Sequence, residues 1–326
     1  MLNILVTGAN GFVGKALSKE MIKRGYSARL SMRRIDNVAA DAVSAGLYMS
    51  IGEIGPDTNW THTLKGMDCV IHLAARVHVM RDLAGDPLAE FRRINTAGTA
   101  RLAVCAAQAG VRRLVFMSSV KVNGEETTKT PFTENDPAQP CDPYAISKWE
   151  AEQALARIAR DSGLEVVILR SPLVYGPGVK GNFRSLMSWV NKGYPLPLGA
   201  IHNLRSLIAL DNLVDLAILC IEHPAAVNGT FLVSDGEDVS TAELLRRLGR
   251  ALGKPARLVP IPAWFIEIGA ATLGMSDAAG RLCGNLQVDI SHTRNTLGWT
   301  PPVGMDEALK RTADEFLLSV SGNKRG

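Results

Sequence analysis

Tyr144 and Lys148 stand one helical turn apart in Pro143-Tyr144-Ala145-Ile146-Ser147-Lys148, on the same face of the helix this stretch predicts. An ammonium so placed can draw the phenol's pKa down from about 10, making Tyr144 a usable general acid or base. Alone, this spacing is common on ordinary helices. Upstream, the apolar run Leu114-Val115-Phe116-Met117 ends in Ser118-Ser119, which sets two hydroxyls at the carboxyl end of a predicted strand, where open α/β sheets bind ligands. A serine there can hydrogen-bond a reacting carbonyl or hydroxyl.

A third group supplies phosphate chemistry. Gly8-Ala9-Asn10-Gly11-Phe12-Val13-Gly14 lies between a strand-like run and an amphipathic stretch. Glycines at such a turn let the backbone approach a pyrophosphate closely, and the helix behind offers free N–H groups. At the end of the next predicted strand the residues are Ser31-Met32-Arg33-Arg34. An acid there would accept the ribose hydroxyls of NAD, whereas Arg33 and Arg34 suit the additional phosphate of NADP. They could also be solvated loop charges, and Asp36 keeps NAD open.

The elements that must hold these groups follow from periodicity. Strands are expected at Asn3–Thr7, Ala28–Met32, Cys69–Leu73, Leu114–Ser118 and Val166–Arg170, and helices at Phe12–Arg24, Phe91–Ala109 and Pro143–Asp161. Alternating strands and helices, with nearly continuous apolar strands, predict a doubly wound parallel α/β sheet. After Arg170 the chain turns rich in Pro and Gly, and a smaller region begins. Ser206–Leu210 and a strand at Thr230–Ser234 are expected to return to the main sheet. The division is therefore interleaved: 1–172 and 203–234 for the cofactor, 173–202 and 235–326 for the substrate.

A chain of 326 residues, 46% hydrophobic, buries a sizeable core without staples. The net charge of +4 gives no basic stripe for nucleic acid but suits an anionic small molecule. Five cysteines lie outside any metal spacing, which points to free thiols in a reducing cytoplasm and no metal site. The apolar stretch Ile261–Leu273 is interrupted and too short to span a bilayer, so a buried or partly buried helix is expected and no membrane insertion. The end from Gly322 to Gly326 is expected to fray.

The glycine loop, strand-end serine and Tyr-x-x-x-Lys, in this order, resemble the extended short-chain dehydrogenases/reductases of the NAD-dependent epimerase/dehydratase type. The resemblance covers nearly the whole chain. It implies a catalytic set of Ser119, Tyr144 and Lys148, with Ser119 chosen over Ser118 by matching Val122-x-Gly124 to the family's Val-Tyr-Gly; Asn123 departs from that pattern. It also implies cofactor contacts from Gly8, Asn10, Gly11, Phe12, Val13, Gly14, Glu53, Ile54, Leu73, Ala74 and Ala75, besides Tyr144 and Lys148. Asn95 resembles a residue that supports the site. Lys121, Asn182, Arg205 and Arg281 are candidates for a nucleoside diphosphate sugar, although each could be an ordinary surface charge or cap.

Two reactions fit this resemblance: reduction of a 4-keto nucleotide sugar by NADPH, and 4-epimerisation with a retained NAD. Arg33 and Arg34 favour the reductase, as does a likeness of Ser119–Gly124 to reductases forming UDP-N-acetylquinovosamine. A 4,6-dehydratase would carry Asp-Glu after the catalytic hydroxyl, where this chain has Val120-Lys121. A noncatalytic NADP-binding sensor is the reading from outside enzymology, and the intact trio argues against it. The resemblance also allows a homodimer.

Overall fold

Ile4, Leu5 and Val6 are fully buried, and the strand they form, β1 (Asn3–Thr7), lies inside the molecule because both of its faces are apolar. The computed structural model describes residues 2–35, 46–77, 85–272 and 276–322; Asp36, Leu273 and the tail from Asn323 lie outside them. After β1 come α1 (Phe12–Lys23), β2 (Ser27–Met32), β3 (Tyr48–Ser50), α2 (Thr61–Leu64) and β4 (Cys69–His72). Next are α3 (Pro87–Phe91), α4 (Gly98–Gln108), β5 (Arg113–Ser119), α5 (Pro143–Ser162) and β6 (Glu165–Ser171). The later part holds β7 (Leu173–Tyr175), α6 (Gly181–Lys192), β8 (Arg205–Ala209), α7 (Leu210–Glu222), β9 (Thr230–Leu232) and β10 (Asp238–Val239). It ends in α8 (Thr241–Ala251), α9 (Ala263–Thr272), α10 (Ser276–Cys283), α11 (Ser291–Leu297) and α12 (Met305–Gly322).

Seven parallel strands form the main sheet in the order β3-β2-β1-β4-β5-β6-β9. Helices cover both faces, Leu17 of α1 and Leu213 of α7 in one core, Leu102 of α4 and Leu155 of α5 in the other. This is the doubly wound sheet expected. Chain direction across the sheet reverses between β1 and β4, and a crevice opens at their carboxyl ends.

Three expectations need correction. The helix expected over Phe91–Ala109 is divided by a π-helical stretch, Arg92–Ala97, whose wider winding accompanies a buried Asn95, 1% exposed. Ser206–Leu210 does not return to the main sheet: β8 joins β7 and β10 in a separate three-stranded sheet. The strand serves two cores by alternation, Leu207 and Ala209 packing with Phe183, Met187 and Leu245 while Ile208 packs with the main core. Finally, α9 has no buried residue. Its apolar residues go all the way round the helix, and only Ala263 and Ile266 reach the second core, so the others stay outside. Among the described residues no helix is long and apolar enough to cross a membrane.

Candidate active site

Gly8 ends β1 with φ at +68°, and a Cβ there would lie 2.8 Å from the Ala74 backbone nitrogen at the end of β4. Only glycine permits both the turn and this approach of two strand ends. Gly14 is closed to a side chain in the same way, since its Cβ would collide with the Gly8 carbonyl oxygen. Gly11 donates its N–H to that oxygen at 2.9 Å and starts α1 without a side-chain cap or an acid in the first turn. The free N–H groups of that turn therefore face the crevice edge uncompensated, as an anion requires.

His72 braces the crevice floor. Its ring meets Thr7 Oγ1 at 2.7 Å through Nδ1 and Thr99 Oγ1 at 2.9 Å through Nε2, which ties β1, β4 and α4. Burial, aided by the Lys148 charge, pulls its pKa down to about 3, so the imidazole is neutral. Asn95 does the same for the rim: its amide donates to Arg76 O and Ser147 Oγ, both at 3.0 Å, and its oxygen accepts from Arg76 N at 2.8 Å. The segment after β4 is thus tied to α5, the support expected of Asn95.

The crevice encloses a cavity of about 380 Å³ lined by Gly8, Asn10, Gly11, Arg33, Glu53, Ile54, Leu73, Ala74 and Ala75, together with Met32 and Arg76. Nine expected cofactor residues therefore meet at one place. Phe12, Val13 and Gly14 form the first turn of α1 instead of the cavity lining. Arg34 turns into a neighbouring groove of about 650 Å³ with Lys15, Lys19 and Tyr48. Arg33 lies 3.9 Å from Glu53, which also holds Arg93 at 3.2 Å. A guanidinium faced by a carboxylate offers less field to a 2′-phosphate than a bare one. The glycine cradle and open helix start fit a dinucleotide, and Glu53 and Ile54 line the same cavity.

The candidate catalytic residues come from β5, which ends in Ser119, and from α5, which carries Tyr144 and Lys148. Asp142 caps α5, its Oδ1 accepting from Ala145 N at 2.6 Å, and Pro143 follows at the first turn. Lys148 Nζ donates to Met117 O at 2.8 Å and sits 4.4 Å from the Phe116 ring centroid. Burial pulls its pKa down to about 7, against the opposing pull of Glu152. Burial first, and the Asp142 carboxylate second, push the Tyr144 phenol up. This runs opposite to the expected effect of the lysine, whose Nζ is 6.0 Å from the tyrosine ring centroid and engaged with Met117. Added positive charge beside the phenol is what would lower it.

Of the two strand-end hydroxyls, Ser118 is committed elsewhere: it donates to Glu152 at 2.5 Å. Glu152 accepts from Arg170 at 3.1 and 2.6 Å, and Arg170 donates to Asn123 at 3.1 Å. All four are buried. Asn123, the departure from Val-Tyr-Gly, thus belongs to a bracket joining β5, β6 and α5, and Ser119 is the serine left for chemistry. Sequence reasoning missed Glu152 and Asp142. The Asp-Pro pair is a readable helix start, whereas nothing in the sequence pairs Glu152 with Arg170.

On the substrate side, Lys121 bridges Asp142 at 2.5 Å and Glu125 at 2.7 Å, which joins the turn after Ser119 to the start of α5. Arg205 donates to Gly284 O at 2.9 Å. Burial lowers its pKa, Glu126 raises it, and the Arg281 charge lowers it again. Arg205 thus feels a carboxylate, Glu126, more strongly than the second guanidinium, Arg281, that the fold brings to it from a distant point of the chain. Asn182 is exposed in the first turn of α6. At the chain end, Trp299 is buried and donates to Asp215 at 3.0 Å, a structural role.

Comparison with known proteins narrows what this geometry belongs to. A protein from Vibrio cholerae named UDP-glucose 4-epimerase is 49% identical over 318 residues, spanning 97% of this chain and 95% of its own. A protein from Escherichia coli O157:H7 named N-acetyl-alpha-D-glucosaminyl-diphospho-ditrans,octacis-undecaprenol 4-epimerase is 25% identical, spanning 95% and 94%. Among solved structures, MoeE5 in complex with UDP-glucose and NAD superposes with a TM-score of 0.75 at 25% identity, covering 98% of this chain and 99% of that one. The model of the NAD dependent epimerase/dehydratase family matches residues 4–234, the stretch that carries the glycine cradle, Ser119, Tyr144 and Lys148. The chain is a member of that family and an enzyme of the short-chain dehydrogenase/reductase superfamily.

Proposed function

We propose that the protein is a UDP-sugar 4-epimerase that keeps NAD bound through its cycle. The observation that carries this reading is the near full-length, 49% identity to a protein named UDP-glucose 4-epimerase, together with Ser119 at the end of β5 and Tyr144 and Lys148 one turn apart on α5. It displaces the 4-ketoreductase as the better-supported reading. The Arg33–Glu53 approach favours NAD over NADP in the same direction. Bound NAD would supply the acceptor, and then the donor, of the hydride at C4.

Tyr144 removes the proton of the C4 hydroxyl as that carbon is oxidised and returns it after the sugar has presented its other face. Ser119, fixed by the β5 end, hydrogen-bonds the same oxygen and limits the charge it carries in either direction. Lys148, one turn from Tyr144 on α5, would hold the nicotinamide ribose. Arg205 and Arg281 grip the diphosphate through charge-assisted bonds, and Lys121 sets the wall between Ser119 and α5. A cytoplasmic location and a homodimer belong to the same reading.

A 4-ketoreductase is favoured instead by one observation: Arg34, Lys15 and Lys19 gather on the groove beside Asn10. Incubation with UDP-glucose and with UDP-N-acetylglucosamine, without added cofactor, decides between them. Appearance of the C4 epimer, with NAD recovered from the denatured protein, supports epimerisation. Stoichiometric NADPH consumption with a 4-keto sugar nucleotide, and no epimer, defeats it.

A further inference from the structure

The far edge of the second core carries large apolar side chains that the chain's own packing leaves outside. In α9, Trp264 and Phe265 are each 60% exposed and Ile268 is 59% exposed. The strand-like segment entering α9 runs beside the one leaving α6: Leu196 donates to Arg257 O at 2.8 Å, and Gly199 donates to Val259 O at 2.9 Å. Exposed Val259 lies in the segment entering α9, and exposed Tyr194 and Trp189 precede the segment that pairs with it. Lysine is present among them. Lys254 donates to Asn191 O at 2.8 Å, Lys192 lies 5.8 Å from the Tyr194 ring centroid, and Arg257 is exposed. Against these three cations α9 sets one acid, Glu267.

The composition discriminates between occupants. Protein interfaces concentrate aromatics and arginine but are depleted in lysine, whereas a lipid headgroup region favours Trp and Tyr flanked by Lys and Arg. A helix of 10 residues is half the ~20 needed to span a bilayer, and with Ala263 and Ile266 packed on the second core it meets a bilayer only by its outward face. We infer that the α9 edge is a peripheral docking surface for an anionic lipid bilayer. Trp264, Phe265 and Ile268 enter the headgroup region, and Lys192, Lys254 and Arg257 meet lipid phosphates. The site for the sugar nucleotide is not involved, so this inference stands apart from the proposed reaction.

The test is co-sedimentation of the full chain with vesicles of phosphatidylethanolamine and phosphatidylglycerol, against vesicles of phosphatidylcholine alone. Binding to the anionic vesicles, weakened by salt and accompanied by a blue shift of tryptophan emission, is expected. Trp264→Ser/Phe265→Ser should weaken it by about tenfold or more, with circular dichroism and UDP-sugar turnover as in the wild type. Lys254→Glu/Arg257→Glu should remove the salt-sensitive part while leaving both aromatics in place. Wild-type protein that stays in the supernatant with both vesicle types overturns the inference, as does either variant binding undiminished. A wild-type dimer that Trp264→Ser/Phe265→Ser converts to monomer in sedimentation velocity also overturns it, because a second copy then covers the surface.

Discussion

The cofactor crevice and the substrate edge are built from different materials. In the crevice the decisive contacts are made by backbone: Gly8 against Ala74, Gly14 against the Gly8 carbonyl, and the uncapped start of α1. The polar side chains that brace it from behind, His72 and Asn95, and the Glu152 bracket beside them are buried and satisfied by neighbours within the protein. The proposed substrate edge is made by side chains, Arg205 of β8 and Arg281 of α10, whose charges act on one another. A backbone-built site is complete before its ligand arrives; a side-chain-built one is completed by it. Substitutions should therefore fail differently in the two places.

The largest effect belongs where the two regions meet. Tyr144→Phe keeps the ring packing and removes only the proton carrier, so turnover should fall by about a hundredfold to ten-thousandfold while NAD binding is unchanged. Isothermal titration with NAD beside an epimer assay reads both, and turnover within threefold of the wild type would remove Tyr144 from the mechanism. Arg170→Met comes next, and its effect is on stability. It strands Glu152 in the interior, which costs about 3–5 kcal/mol, whereas Arg170→Met/Glu152→Leu should recover most of the loss. Urea unfolding of both variants checks this. A mild Arg170→Met would mean that the bracket is not the rigid half of the comparison.

His72 gives the crevice a pH signature of smaller size. Its folded pKa of about 3 lies below the ordinary 6.5, so the unfolded chain binds a proton between those values and the folded chain does not. Stability that is full above 6.5 is lost as pH falls toward 3, with a slope of about 1.4 kcal/mol per pH unit from this one group. The wild type minus His72→Asn difference in unfolding free energy should carry that slope. A flat difference would show that the imidazole is protonated in the fold or released from Thr7 and Thr99.

The same division decides what could be read from the sequence. Gly8, Gly11 and Gly14 announce themselves because backbone geometry restricts which residue types are tolerated, and strands such as Val166–Leu169 do so because burial on both faces leaves continuous apolar runs. Nine residues expected at the cofactor, among them Gly8 and Gly11 from that frame and Glu53, Ile54, Leu73, Ala74 and Ala75 from the family resemblance, line one cavity. The π-helical stretch at Arg92–Ala97 was not legible, since six residues of wider winding are too few to register in a periodicity read over a whole helix. Nor was the fate of Ser206–Leu210, whose alternating faces serve two cores and so carry the pattern of either sheet. In α9 an apolar composition suggested burial, but burial depends on what the fold has left to pack against. Glu152 with Arg170, and Arg205 with Arg281, are pairs made by topology alone.

The substrate edge should yield the smallest effect and the most diagnostic one. Arg281→Ala removes a positive charge that acts on Arg205. The variant loses one of two charge-assisted contacts to the diphosphate but relieves that repulsion, and the two changes partly offset. KM for the UDP-sugar should rise by only about three- to tenfold with kcat preserved, the mark of binding lost equally in ground and transition states. Arg205→Ala should cost more, because Arg205 is anchored to the Gly284 carbonyl and Arg281 is exposed. Steady-state kinetics at low and high salt distinguish the two, with Arg281→Ala blunting the salt dependence of KM. A fall in kcat with KM unchanged would place Arg281 at the reacting sugar instead, and would make this edge as preorganised as the crevice.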